Sequence, residues 1–275
     1  ELDLDFAGSE YLFFPPELVD KLEAKSVTPL RRISLIADES GVPIEIQTHP
    51  KGPIQIWVEL DDHNRPPMDC DYVVGVDIAA GTGSSNSVAS VARRDNGQKV
   101  AEFTTADMRP DLFAKTVVSL CRLFKGGSNR IFGDTVMELG YGNIYFRRND
   151  KSVSNKASNI PGWYSTREEK VALLGNYRQM LANDNFHNPS RDGIKELREY
   201  VFSQTGGVVH SRSRYAADPS GAKDNHGDRV IADALAAKMT MGTPLPKIEE
   251  SRREEYGSLA YRRVERKNRK KAKTW

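Results

Sequence analysis

Apolar and polar residues alternate over Ile44-Glu45-Ile46-Gln47 and again from Ile54 to Leu60. Alternation at every second residue is the pattern of a half-buried strand, and Pro50, Gly52 and Pro53 supply a turn between the two. Tyr72-Val73-Val74-Gly75-Val76 is continuously apolar and rich in β-branched residues. It reads as a buried strand with Asp77 at its end. Ala80 to Asn86 is a polar, Gly-rich turn. Alternation resumes from Ser87 to Arg93, and Asp95-Asn96-Gly97 is a hairpin signal leading into a third strand over Lys99 to Thr104. The economical arrangement is three sequential antiparallel strands, with Asp77 on the first.

Beyond Thr104 the period changes. Leu112, Thr116, Val117, Leu120 and Phe124 share one helical face, and Ile131 to Leu139 reads as further helix stopped by Gly140. Asn143 to Phe146 reads as a strand, and Lys151 to Pro161 as a polar loop. Ser165-Thr166-Arg167-Glu168 has capping-box spacing and opens a helix with Leu174, Tyr177 and Leu181 on one face. Arg191 to Phe202 reads as another helix and Gly207 to His210 as a strand. His226 to Ala236 is an amphipathic helix with Asp228 in its first turn. Strands first, then alternating helices and strands, imply an α/β fold with helices on the faces of a sheet. Before all this, Phe6 to Val19 is rich in aromatics and Pro and reads as a connector, with a short helix over Glu17 to Ala24.

Composition narrows the function classes. No stretch approaches the roughly 18 apolar residues of a membrane span. The opening Glu1-Leu2-Asp3-Leu4-Asp5 is acidic and lacks Met, which suggests a piece of a longer chain. Cys70 and Cys121 form neither a disulfide framework nor a zinc pattern. No Gly-rich loop followed by Lys and Ser or Thr is present, so ATP hydrolysis is not expected of this chain. Residues 251–275 carry ten Lys or Arg and three Glu, a net of +7, so against an overall +2 the rest of the chain carries −5. A basic tail on a mildly acidic body suits contact with a polyanion; a solvated terminus is the bland alternative.

Asp77 at a strand end and Asp228 at a helix start are the chemically suggestive acids. Hard divalent cations take oxygen ligands, and the expected signature is carboxylates far apart in sequence but gathered at one sheet edge. Two such cations serve phosphodiester hydrolysis by activating water and stabilising the leaving oxygen. The plainer readings are a turn-forming Asp77 and an Asp228 that complements its helix dipole.

Val74-Gly75-Val76-Asp77-Ile78-Ala79-Ala80-Gly81-Thr82-Gly83, followed by Ser87-Val88-Ala89, resembles the first nuclease motif of the large terminase subunits of tailed double-stranded DNA bacteriophages. His226-Gly227-Asp228-Arg229-Val230-Ile231-Ala232-Asp233-Ala234 resembles the last motif of that family. Glu1 to Phe14 resembles the stretch joining the terminase ATPase domain to the nuclease, and Gly162 to Phe202 the helical run before the last motif. The resemblance implies a ribonuclease-H-like mixed sheet with helices on both faces. It implies a connector over 1–40 from an ATPase domain of the same full-length chain, a nuclease domain over 41–245 and a basic tail over 246–275. It also implies Mg²⁺ or Mn²⁺, two ions, held by Asp77 and Asp228, and cleavage of concatemeric duplex DNA during genome packaging in the cytoplasm of an infected bacterial host. Portal and small terminase subunit are the further partners it suggests.

Supporting candidates are weaker. Asp224 and His226 stand beside Asp228, although His226 equally suits a capping role. Arg147, Arg148, Lys151 and Lys156 flank one loop, and Arg212 and Arg214 another; both are candidates for phosphate contacts or for ordinary solvated charge. Asn86 stands where some family members carry an acid. The family's middle motif, a strand ending in Glu or Asp followed by Asn and Gly, has no obvious counterpart. The interval Lys125 to Arg130 is too short for a strand, and Asp134 and Glu138 fall at helical positions. The expectation is therefore a break in the chain between Phe124 and Phe132. The rival readings are a catalytically silent module that docks on DNA or a portal, and a junction resolvase on the same fold.

Overall fold

The computed structural model describes residues 12–124, 141, 145–148, 157–163, 165–203, 206–211 and 227–241. Helix α1 (Pro16–Lys25) precedes strands β1 (Arg31–Ala37), β2 (Pro43–Thr48), β3 (Ile54–Ile56), β4 (Tyr72–Asp77), β5 (Ser87–Arg93) and β6 (Lys99–Thr105). There follow α2 (Pro110–Leu123), β7 (Phe146–Arg148), β8 (Ala157–Pro161), α3 (Arg167–Ala182), α4 (Arg191–Leu197), β9 (Tyr200–Phe202), β10 (Val208–His210) and α5 (Asp228–Thr240). Among the described residues no helix is long and apolar enough to cross a membrane.

The first six strands form one sheet in the order β2-β1-β3-β6-β5-β4. Every described pairing within it is antiparallel, including the expected meander β4-β5-β6. Alternation along the strands sends side chains to two separate cores. Val74, Val76, Ala89, Val91, Ala101 and Phe103 face α2 and pack with Phe113, Val117, Leu120 and Phe124. Val73 and Ala92 face the other way, into a core built from α1, α3, α4 and α5. Helices therefore cover both faces of the sheet, as the pattern of elements implied.

One contact fixes how α5 lies on the sheet. A Cβ on Gly75 of β4 would fall 2.1 Å from the Ala232 carbonyl oxygen and 2.4 Å from the Ala236 nitrogen. Only glycine lets the α5 backbone come this close. The small residues Ala232, Ala234, Ala236 and Ala237, all buried, make the helix narrow enough to use that space.

Several elements depart from expectation. Residues 31–37, inside the segment expected as connector, hydrogen-bond between β2 and β3 in the sheet. The second alternating run forms a strand only over Ile54–Ile56. Residues 157–161, expected as loop, pair antiparallel with β7, because backbone pairing needs no side-chain periodicity. The N-cap sits one residue later: Thr166, not Ser165, accepts the N–H of Glu169 at 3.1 Å, while the Glu169 carboxylate accepts from the Trp163 indole at 3.0 Å. Both registers satisfy the same Ser/Thr-x-x-Glu spacing, so the pattern alone does not choose between them. The helix expected over Arg191 to Phe202 ends at Leu197, and Tyr200-Val201-Phe202 turns to strand against β10. Aromatic and β-branched residues favour that conformation once a partner strand is present. The expected helix over 131–139, the expected break between Phe124 and Phe132, and the basic tail lie outside the described residues.

Candidate metal centre

Asp77 ends β4 opposite Val88 of β5. Asp228 is the first residue of α5, and its Oδ2 accepts the backbone N–H of Asn86 at 2.8 Å. Asn86 lies two residues before Val88, so both carboxylates stand at the same end of the sheet. The turn between them is closed by Ser87, whose Oγ accepts the N–H of Ala79 at 3.0 Å. The buried Asn86 thus serves Asp228 through its backbone, independently of whether its side chain is acidic.

The electrostatics reflect the proximity of the pair. Burial, and then the charge of Asp228, push the Asp77 carboxyl up to about 7; Lys170 pulls the other way. Lys170 of α3 is itself held below the ordinary lysine range by burial, opposed by Asp77 and Asp228. Among the described residues it is the cation that acts on both carboxylates. Its Nζ also lies 5.9 Å from the centre of the Tyr200 ring.

The start of α5 is built around Gly227, which adopts a left-handed φ of 76°. A Cβ there would fall 2.5 Å from the Tyr200 hydroxyl. That hydroxyl instead donates to the Gly227 carbonyl at 2.9 Å. Behind this turn lie five buried charged residues, Lys99, Glu102, Glu196, Arg229 and Asp233. Lys99 Nζ contacts Glu102 and Asp233, each at 2.6 Å. Arg229 bridges Glu102, at 3.3 Å, and Glu196. Burial favours the neutral acid at Glu102, but Lys99 and Arg229 together outweigh it and hold the group down to about 2. At Glu196 burial wins and pushes the carboxyl up to about 8 against the pull of Arg229.

A register slip places Lys99 in this network. Val91 pairs with Ala101 but Ala92 with Lys99, so β6 carries an extra residue there. The bulge turns Lys99 to the same face as Glu102, which regular alternation would forbid.

Sequence reasoning named Asp77 and Asp228, and the fold brings them together. It missed Lys170 and the buried charges. A signal existed for the latter: Arg229 and Asp233 stand among the apolar residues Val230, Ala232, Ala234 and Leu235 of α5, and charges buried among such residues must be partnered. Asp224, His226, Lys151, Lys156, Arg212, Arg214, Asp134 and Glu138 lie outside the described residues. Arg147 and Arg148 run in β7, where only the backbone is described. Two carboxylates and a desolvated setting suit a hard divalent cation in kind. Among the described residues no group of three or more candidate ligands is gathered, so the donor set there is partial.

No protein-family model and no curated protein matches the sequence. Solved structures do. The chain is similar to phage large terminase nucleases. The large terminase nuclease from thermophilic phage G20c shares 18% identity at a TM-score of 0.47, over 69% of this chain and 90% of that one. The same nuclease with bound magnesium gives 16%, 0.46, 69% and 89%. The large terminase nuclease domain of Thermus phage P74-26 gives 17% and 0.49, over 82% of this chain and 96% of that one.

Proposed function

We propose that this chain is a divalent-metal-dependent endonuclease acting on duplex DNA, of the kind that large terminases carry. The observation supporting it is the desolvated Asp77–Asp228 pair, drawn from a strand end and a helix start and faced by Lys170. Asp77 and Asp228 would hold Mg²⁺ or Mn²⁺. Such ions, when bound, activate water and stabilise the charge that develops on the phosphodiester oxygens. Asp77 and Asp228 would orient the ions through their carboxylate oxygens. Lys170 limits the mutual repulsion of the pair before a cation arrives and presents positive charge to an incoming phosphate. Tyr200 and the Asn86 N–H hold the Asp228 turn still.

The test is incubation of linear and concatemeric duplex DNA with the purified protein and Mg²⁺ or Mn²⁺. Cleavage is expected with either ion and is expected to stop in EDTA. Undiminished cleavage in EDTA overturns the metal reading. Absence of cleavage with both ions favours the silent docking module, and preference for four-way junctions favours a resolvase.

Removal of residues 251–275 is expected to weaken DNA binding. For every Lys or Arg of the tail that neutralises a phosphate, the slope of log affinity against log salt should fall by about 0.9. An unchanged slope, measured by fluorescence anisotropy at several salt concentrations, removes the tail from the DNA interface.

A further inference from the structure

Asp228 can serve a centre only if the first turn of α5 is held rigidly, and its own cap residue contributes no side chain to that. The residue at the cap position is Gly227, which has no side chain to accept from the helix N–H groups. The first N–H groups of a helix need partners from somewhere. Here they are supplied from another element. Oε2 of Glu196, on α4, accepts the backbone N–H of Arg229 at 3.0 Å and of Val230 at 3.3 Å. Oε1 of the same side chain accepts from the Arg229 guanidinium. Three residues beyond α4, Tyr200 holds the Gly227 carbonyl. The segment from α4 to β9 therefore grips the chain on both sides of Asp228.

The rest of the network anchors the grip. Arg229 Nε reaches Glu102 on β6. Glu102 takes Lys99, Lys99 takes Asp233, and Asp233 takes the Asn188 amide at 2.7 Å. Arg229 and Asp233 are one turn apart on α5, so the helix is tied to β6 at two points. Buried charges are a poor source of stability, since desolvating them costs about as much as their attraction returns. A chain of them that ends on the residue next to Asp228 is better explained by what it positions.

We propose that Glu196 is a positioning residue for Asp228, capping α5 from outside so that the Asp228 carboxylate stays fixed at the Asn86 N–H and against Asp77. Its importance for cleavage rests on the metal-dependent reading above; its effect on geometry does not. The experiment separates the two. Amide hydrogen exchange is followed by NMR in the metal-free protein, for wild type, Glu196→Ala and Glu196→Gln. The readout is the N–H of Asn86, which contacts Asp228 and not Glu196. Glu196→Ala is expected to speed exchange at Asn86 at least about tenfold, as the loss of hydrogen bonds to a charged group would allow. Glu196→Gln keeps the side chain's shape and one acceptor oxygen, and is expected to give a smaller rise. Val117→Ala, in the core on the far face of the sheet, controls for general loss of stability and should leave Asn86 protected relative to the core amides.

The same variants are then titrated with Mn²⁺. Glu196→Ala is expected to bind about tenfold more weakly or worse, with Glu196→Gln between it and wild type. Wild-type protection of Asn86 in Glu196→Ala overturns the proposal whatever the metal does. Should Glu196→Ala not fold, wild-type protection in Glu196→Gln overturns it equally. If the wild type itself binds no Mn²⁺, the metal reading falls while Asn86 exchange still decides the role of Glu196.

Discussion

Asp77→Asn and Asp228→Asn are each expected to lower the rate of DNA cleavage by about a thousandfold or more, the loss of several kcal/mol of transition-state stabilisation. Neither should unfold the protein. The reason lies in the charge balance of the site without metal. Asp77 ionises near 3.8 in an unfolded chain but near 7 in the fold, because burial and Asp228 both oppose its charge. Between those values the unfolded state has released a proton that the folded state keeps. Raising the pH through this window therefore favours unfolding, and stability present at low pH is lost as the pH approaches 7. The whole gap corresponds to roughly 4 kcal/mol; solvent access at the sheet end makes the realised figure smaller. Glu196 adds a slope of the same sign, so the comparison that isolates Asp77 is wild type against Asp77→Asn. Thermal melting in EDTA from pH 5 to 8 should show a steeper decline for wild type. Saturating Mn²⁺ should raise the wild-type melting temperature and leave Asp77→Asn nearly unmoved, since a ligand at about a hundred times its Kd stabilises by about 2.7 kcal/mol. Near-normal cleavage by either variant removes that residue from the site. Identical pH profiles would mean that burial and Asp228 do not together raise the Asp77 carboxyl.

Much of the frame could be read from the sequence because its signals are local. The β4-β5-β6 meander follows from a β-branched run, an alternating run and Asp95-Asn96-Gly97, each decided within a few residues. Asp77 was legible for the same reason: an acid at the end of a buried strand is conspicuous. Asp228 was legible as an acid opening an amphipathic helix. The features missed depend on partners distant in sequence. Nothing near Tyr200 tells that Val208–His210 will pair with it and turn helix into strand. Nothing near Lys99 tells that β6 carries a bulge, so its burial with Glu102 is invisible to a pattern that assumes strict alternation. Lys170 occupies an ordinary helical position until α3 is set against the sheet end. Glu196 is legible only in retrospect, through the absence of a capping side chain at Gly227.

Lys99→Met is expected to produce a large loss of stability, because Lys99 pairs with two buried acids. Methionine nearly matches the volume of lysine, so packing is kept and the charge alone is removed. Glu102 then keeps Arg229 at 3.3 Å and Asp233 keeps the Asn188 amide at 2.7 Å, but the cation that joined the two acids is gone. Breaking a buried pair from one side leaves an uncompensated charge and typically costs 3–5 kcal/mol. For a chain of this size that is a fall of about 10 °C in melting temperature. The second acid is the control. Lys99→Met combined with Asp233→Leu removes the stranded carboxylate as well, while Glu102 retains Arg229 and the Asn188 amide retains the Tyr177 hydroxyl at 3.2 Å. The double variant should therefore recover at least about 1 kcal/mol relative to Lys99→Met, and the coupling, which also subtracts the effect of Asp233→Leu alone, should lie in the range that contacting residues show. Urea unfolding of the wild type, both single variants and the double variant measures it. A Lys99→Met protein within about 1 kcal/mol of wild type would mean that the acids had simply taken up protons or water at little cost. A strongly coupled cycle would instead establish that α5 is tied to β6 by charge. The start of that helix, where Asp228 sits, would then be rigid for electrostatic reasons and not through hydrophobic packing alone.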